Sequence, residues 1–243
     1  MTTLTRTAEH HPFETTNSPG GSSRGLGALL IVDALLSFAP VVILGAAIGW
    51  PASLDNPAAE QLAAIHANAG MVTLGYGVYL LYSILVAPVM IGLAAKVFGS
   101  LQGPVAVTVA AFGALSALAR AIGILRWLTV MPALATTHAA ADPAMRAQIE
   151  LVFTAVTTYG GGIGEVLGVA LFMALALGTL CVAAWRDGGM PRWLAGLGLA
   201  STALLAGLLL PVFGAAEVIP VAAAVSLLSV WMMAAGVWAM RRG

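Results

Sequence analysis

Charge is scarce in this sequence. Asp, Glu, Lys and Arg make up only 8% of the 243 residues, where a soluble domain carries roughly a quarter. A chain this poor in charge cannot coat itself with a water-compatible surface, so a lipid-facing exterior is implied. Cysteine is almost missing. Cys181 stands alone, which excludes an internal disulfide, and no Cys/His spacing suggests zinc. Cys181 reads as a small buried or lipid-facing residue. Ten basic residues cancel ten acidic ones, so the field that would draw nucleic acid is lacking. Neither H-E-x-x-H nor G-x-S-x-G occurs, and the Ser and Thr residues have no paired base, so no nucleophile stands out. His66 and His138 fall in loops or helix ends and read as surface histidines, not as facing haem ligands. No cofactor is expected, and nothing in the motifs favours an enzyme.

A secretory leader is also not evident, because Met1 to Arg24 is long and polar, with Thr, Ser, Gly, His10 and His11 in place of a basic start and a brief apolar core. Residues 1–24 are expected to be a disordered cytoplasmic tail, and residues 25–243 a transmembrane domain.

What the sequence has in plenty is long apolar runs; 60% of the chain is hydrophobic. A helix needs ~20 mostly apolar residues to cross the hydrocarbon core. Six stretches qualify: about Leu26–Trp50, Met71–Ala95, Val105–Met131, Gly161–Trp185, Pro191–Phe213 and Glu217–Met240. A membrane barrel would show short alternating segments instead. The predicted fold is therefore all-α: a polytopic transmembrane bundle of six spans, plus a short outer amphipathic helix. That helix is expected after Asp142-Pro143, where a capping side chain precedes a proline suited to the first helical position. Its apolar face would carry Met145, Ile149, Val152 and Val156 on the outer leaflet, with a bend at Gly160–Gly162 leading into the fourth span. Asn56-Pro57 marks a similar start in the first long loop. Pro40 and Pro88 are expected to kink the first and second spans.

The loops alternate in charge. Arg6, Arg24, Lys96, Arg186, Arg192, Arg241 and Arg242 fall on one side of a six-fold zigzag. Asp55, Glu60, Asp142, Glu150 and Glu217 fall on the other, with Arg146. The positive-inside rule then puts both termini in the cytoplasm of a cell with the protein in its inner membrane. Gly160, Gly164 and Gly168, and Gly45 and Gly49, have the four-residue spacing that lets helix backbones approach.

Four ionisable groups lie within the predicted spans: Asp33, Arg120, Arg126 and Glu165. Each costs ~2.5–3.5 kcal/mol at a helix centre, so such groups face the bundle interior and pair. At ~1.5 Å per residue, Arg126 and Glu165 are level near the outer boundary, Arg120 lies below them, and Asp33 lies toward the cytoplasmic side. Asp33 is too deep for either arginine and needs another partner, such as Ser37, Arg24 or water. Tyr76, Tyr79 and Tyr82 line one sector of the second span. With Arg120, Arg126 and Glu165 they would form a polar pocket open to the outside. The same set reads equally as a structural salt bridge with hydroxyl glue.

Short motifs carry a resemblance. Met190-Pro191-Arg192-Trp193-Leu194 opens the fifth span, Gly164-Glu165-Val166-Leu167-Gly168 sits in the fourth, and Arg120 in the third. In these the chain resembles the bacterial domain-of-unknown-function family 4386. The resemblance covers the chain from about Arg24 onward and implies a multi-pass membrane fold, without implying an activity. The family often has a glutamate three residues after the third-span arginine. Gly123 stands there in this chain, so Arg120 must look elsewhere for a partner. Two readings of function remain. One is a protein that binds or senses a small-molecule or lipidic ligand, or a membrane partner. The other is a transporter or proton-coupled carrier that uses the Arg/Glu/Asp set. Partners are the lipid bilayer and such a ligand; the oligomeric state is not legible.

Overall fold

The structure, a computed structural model, describes residues 19–242. The expected tail falls mostly outside these residues, with Arg6, His10 and His11. Helix α1 (Pro19–Leu36) already begins within residues 1–24. The described chain is helical throughout: α2 (Ala39–Ile48), α3 (Ala58–Ala67), α4 (Ala69–Phe98), α5 (Pro104–Leu128), α6 (Val130–Ala140), α7 (Pro143–Gly161), α8 (Met173–Asp187), α9 (Arg192–Gly207) and α10 (Val221–Arg241). Six helical stretches are long and apolar enough to cross a membrane: Ser23–Ile48, Ala69–Phe98, Pro104–Ala140, Pro143–Asp187, Arg192–Phe213 and Val221–Arg241. The six-span expectation holds, and the protein is a multi-pass integral membrane protein.

Side-chain exposure shows the inverted pattern that lipid demands. On α5 the exposed residues Leu115, Leu118, Ile122 and Leu125 make one large apolar stripe. The opposite stripe turns Ser116, Arg120, Gly123 and Trp127 inward. In water such a stripe would be an unprotected apolar patch. In a bilayer it is the solvated face.

The ends of three spans meet. The Lys96 ammonium, late in α4, donates to Ser23 Oγ at 2.8 Å and lies 5.4 Å from the Trp238 ring, which Arg242 also approaches at 5.9 Å. The start of α1 and the ends of α4 and α10 thus share one end of the bundle. Near it α1 and α10 touch backbone to backbone. A Cβ on Gly27 would lie 2.7 Å from Gly236 O.

The first span is broken at Ser37–Phe38. Pro40, near the start of α2, has no N–H for the carbonyl one turn back. The Ser37 hydroxyl fills in locally, donating to Ala34 O at 2.7 Å and bonding Ser229 Oγ on α10 at 2.9 Å. Pro88, by contrast, sits inside the 30-residue α4 without interrupting it. The Gly45/Gly49 spacing does not serve packing between spans. Gly49 ends α2 in the left-handed conformation, at φ 72°, which favours glycine.

The fourth span differs most from expectation. The helix is not interrupted at Gly160–Gly162; Gly161 and Gly162 have ordinary right-handed helical dihedrals. The helix runs on from Pro143 to Asp187, 45 residues. That is ~68 Å of helix, more than twice a hydrocarbon core of ~30 Å. The Asp142 cap is present, its carboxylate accepting from Met145 N at 3.0 Å. The buried face of α7 is carried by Ile149 and Phe153, while Met145 and Val152 are exposed. This face packs into a second small core with Leu62 and Ile65 of α3 and Met131 and Ala135 of α6. The expected amphipathic helix is therefore the first part of a longer helix, and its buried face belongs to a helical cap on the bundle. His138 is buried in this cap and bonds Glu150 at 2.9 Å, which corrects its reading as a surface residue.

Candidate functional site

The main core and the cap core adjoin, and a pocket lies at the junction. Tyr79 packs against both cores. The pocket holds about 460 Å³ of empty space, its open mouth included. Each wall comes from a different span. Helix α4 supplies Tyr76 and Tyr79, one turn apart. Helix α5 supplies Arg120, Arg126 and Trp127. The fourth span supplies Gly160, Gly161, Gly164 and Glu165, and the link after α2 supplies Trp50 and Leu54. Of the seven candidate residues named above, five line this one pocket: Arg120, Arg126, Glu165, Tyr76 and Tyr79. Asp33 does not. Tyr82, also expected there, is buried below it and bonds Arg120 instead.

Aromatic stacking makes the walls firm. The Tyr76 and Trp127 rings lie 4.7 Å apart and nearly parallel, at 4°. Trp127 meets Phe153 of the cap edge to face at 6.3 Å, and Trp50 meets Tyr79 the same way at 6.0 Å. Trp50 and Trp127 escape a search for ionisable groups. A signal existed in Trp127 following Arg126 directly, so that a guanidinium and an indole leave one helix side by side; the Arg126 carbon lies 5.4 Å from that ring.

The arginines do not pair with carboxylates. Among the described residues the one ion pair is His138 with Glu150. Arg120, only 2% exposed, donates from Nη1 to the Tyr82 hydroxyl at 2.9 Å. Its Nε and Nη2 are buried and without a partner. Arg126 donates from Nη1 to Gly123 O at 2.7 Å, and its Nε is also unpartnered. The salt-bridge reading is therefore corrected. The physical reason lies in the glycines. A Cβ at Gly160 would come within 2.6 Å of both Cδ and Nη1 of Arg126. The arginine occupies the space that glycine leaves and folds back onto its own helix.

Glu165 sits on an unusual stretch. From Gly162 to Phe172, eleven residues, the fourth span is a π-helix. Most π-helix occurs as single turns and is enriched at functional sites. Here the spans approach closely: a Cβ at Gly123 would stand 2.7 Å from Gly164 Cα. Ser116 Oγ donates to Gly168 O at 2.7 Å. Glu165 is exposed and opens onto a second pocket as well, about 590 Å³ including its mouth, between the π segment and the link from α9 to α10. Glu217 lines that second pocket, and Glu165 and Val169 line both.

Asp33 lies apart, fully buried, with both carboxylate oxygens unpartnered. Its expected partners are engaged or distant: Ser37 bonds Ala34 and Ser229, and Arg24 is exposed. Among the described residues Asp33 makes no ion pair with either arginine. Among the described residues no three His, Cys, Asp or Glu side chains gather as a metal site.

A family model described as domain of unknown function (DUF4386) matches residues 26–243, nearly the whole chain. No curated protein matches the sequence, and no solved structure matches it.

Proposed function

This chain belongs to the domain-of-unknown-function family DUF4386, and on that footing we propose that it binds a small or lipidic anionic ligand in the pocket between the bundle and its cap. One observation carries the reading. Two arginines line the pocket, and among the described residues no carboxylate is paired with either and three of their N–H-bearing nitrogens are buried without an acceptor. A buried donor left unmade costs ~1–3 kcal/mol, more when charged. An anion entering the pocket would recover part of that cost. Flat aromatic walls of Tyr76, Tyr79, Trp50 and Trp127 would receive the apolar part of such a ligand.

The test is binding of short-chain phosphatidic acid to the purified full chain in detergent, read as a thermal shift. The expected result is stabilisation that rises with ligand concentration and disappears in Arg126→Ala. No shift, or one that survives this substitution, would overturn the reading.

A carrier is the second reading, favoured by Asp33. This carboxylate is fully buried one turn before the break in the first span. Broken spans beside buried ionisable groups recur in ion-coupled carriers. The reading requires that Asp33→Asn stop a flux in proteoliposomes while leaving the protein folded. Both termini are proposed to be cytoplasmic, because Lys96, Arg186, Arg192, Arg241 and Arg242 cap the same end of the zigzag. A reporter fused after Gly243 that is active only outside the cytoplasm would reverse that placement.

A further inference from the structure

We propose that the two pockets form one site for a zwitterion, with its anionic group at Arg120 and Arg126 and its ammonium between Glu165 and Glu217. The inference rests on the anion-binding reading above and adds the second half of the ligand.

The two pockets are neighbours, since Glu165 and Val169 line both. Across them the charges come in order. Arg120 and Arg126 stand on the first pocket, Glu165 on both, and Glu217 on the second. No basic side chain lines the second pocket. Glu165 is the acidic group common to both pockets, and among the described residues no ion pair ties it to Arg126. Arg120, 2% exposed with Nε and Nη2 unpartnered, shows that the positive pole is not satisfied within the protein. A simple anion would meet only the positive half. A bare cation would leave the arginines as they are. A phosphate and an ammonium joined by a few atoms would meet both.

The flank of the second pocket gives the source. Pro211 lines it, and the adjacent Phe213 is 83% exposed, with Val212 and Val218 also exposed. This apolar rim stands where a lipid tail would lie beside the headgroup. Zwitterionic phospholipid, or the water-soluble headgroup released from it, has the required chemistry.

The experiment uses the full chain, delipidated in detergent, with three probes: dihexanoyl phosphatidylethanolamine, dihexanoyl phosphatidic acid and glycerophosphoethanolamine. The phosphatidylethanolamine is expected to bind about tenfold more tightly than the phosphatidic acid, the order of one charge-assisted contact. Glu217→Gln should erase this preference without weakening phosphatidic acid. Glu217 is exposed in a link, so the variant is not expected to disturb folding. Glycerophosphoethanolamine binding as tightly as the lipid would support a free headgroup as ligand; a need for acyl chains would support the lipid. Equal affinity for the two lipids, or a preference that persists in Glu217→Gln, would overturn the zwitterion while leaving the anion site standing. Failure of every probe would overturn both.

Discussion

Arg120 of the third span and Tyr82 of the second are joined by one hydrogen bond of 2.9 Å, from Nη1 to the phenol oxygen, in a region where both residues are buried. The guanidinium also lies 5.7 Å from the Tyr82 ring centre. Tyr82→Phe keeps the ring and removes the acceptor. It should destabilise the protein by about 1–3 kcal/mol, the cost of stranding a buried polar donor. Thermal melting in detergent checks this; an unchanged melting temperature would show that the bond contributes nothing.

The glycines of the third and fourth spans should respond in a fixed order. At Gly123 a methyl group would meet backbone on the facing helix, 2.7 Å from Gly164 Cα and 2.9 Å from Gly160 O. At Gly164 it would meet Gly123 Cα at 3.3 Å. Overpacking of the first kind costs about 1–3 kcal/mol. Gly123→Ala is expected to lower stability clearly, and Gly164→Ala by less. The reverse order in a melting series would mean that the spans are packed differently.

Gly162 provides the matching control for helix continuity. It has φ −55° and ψ −43°, and a Cβ there would meet nothing within 4 Å. Gly162→Ala should stabilise the protein by about 0.5–1 kcal/mol, the ordinary gain of alanine within a helix. A marked loss of stability would point to a bend at this position after all.

Trp127 ties the pocket to the cap, stacked on Tyr76 on one side and against Phe153 on the other. Trp127→Ala should cost about 3–5 kcal/mol, the range for truncating a large buried aromatic. Hydrogen exchange should rise in α6 and in the first half of α7 before it rises in α4, α5 and α8. Uniform exchange across the chain would show that bundle and cap do not open separately.

Asp33 should behave unlike a structural ion pair. Its carboxylate has no hydrogen-bond partner in the fold, and burying an unpaired charged group is costly. Asp33→Asn is therefore expected to leave the melting temperature unchanged or raise it. A clear fall would mean that the fold stabilises the carboxylate by more than the cost of burying it.

The span count and the approximate levels of the buried charges follow from sequence because each depends on one dimension. Twenty apolar residues in a row must cross a bilayer whatever lies beside them, and a fixed rise per residue puts Arg126 and Glu165 at similar heights. Arg120, Arg126, Glu165, Tyr76 and Tyr79 could thus be grouped from counting alone, and they do share a pocket. Rotation about each helix and choice of partner are two-body properties, and these only the tertiary structure decided. Counting along the chain makes Gly160 a bend; packing makes it a space that the Arg126 side chain fills. That arginine then meets the Gly123 carbonyl in place of Glu165. Nothing in the neighbours of His138 along the chain reveals that Glu150 and Arg146 of α7 meet it and that it is buried. Asp33 lost its expected Ser37 partner to Ser229, 192 positions away. A polar group in a membrane bonds to whichever acceptor the packing brings near, and packing is settled between helices, not along them.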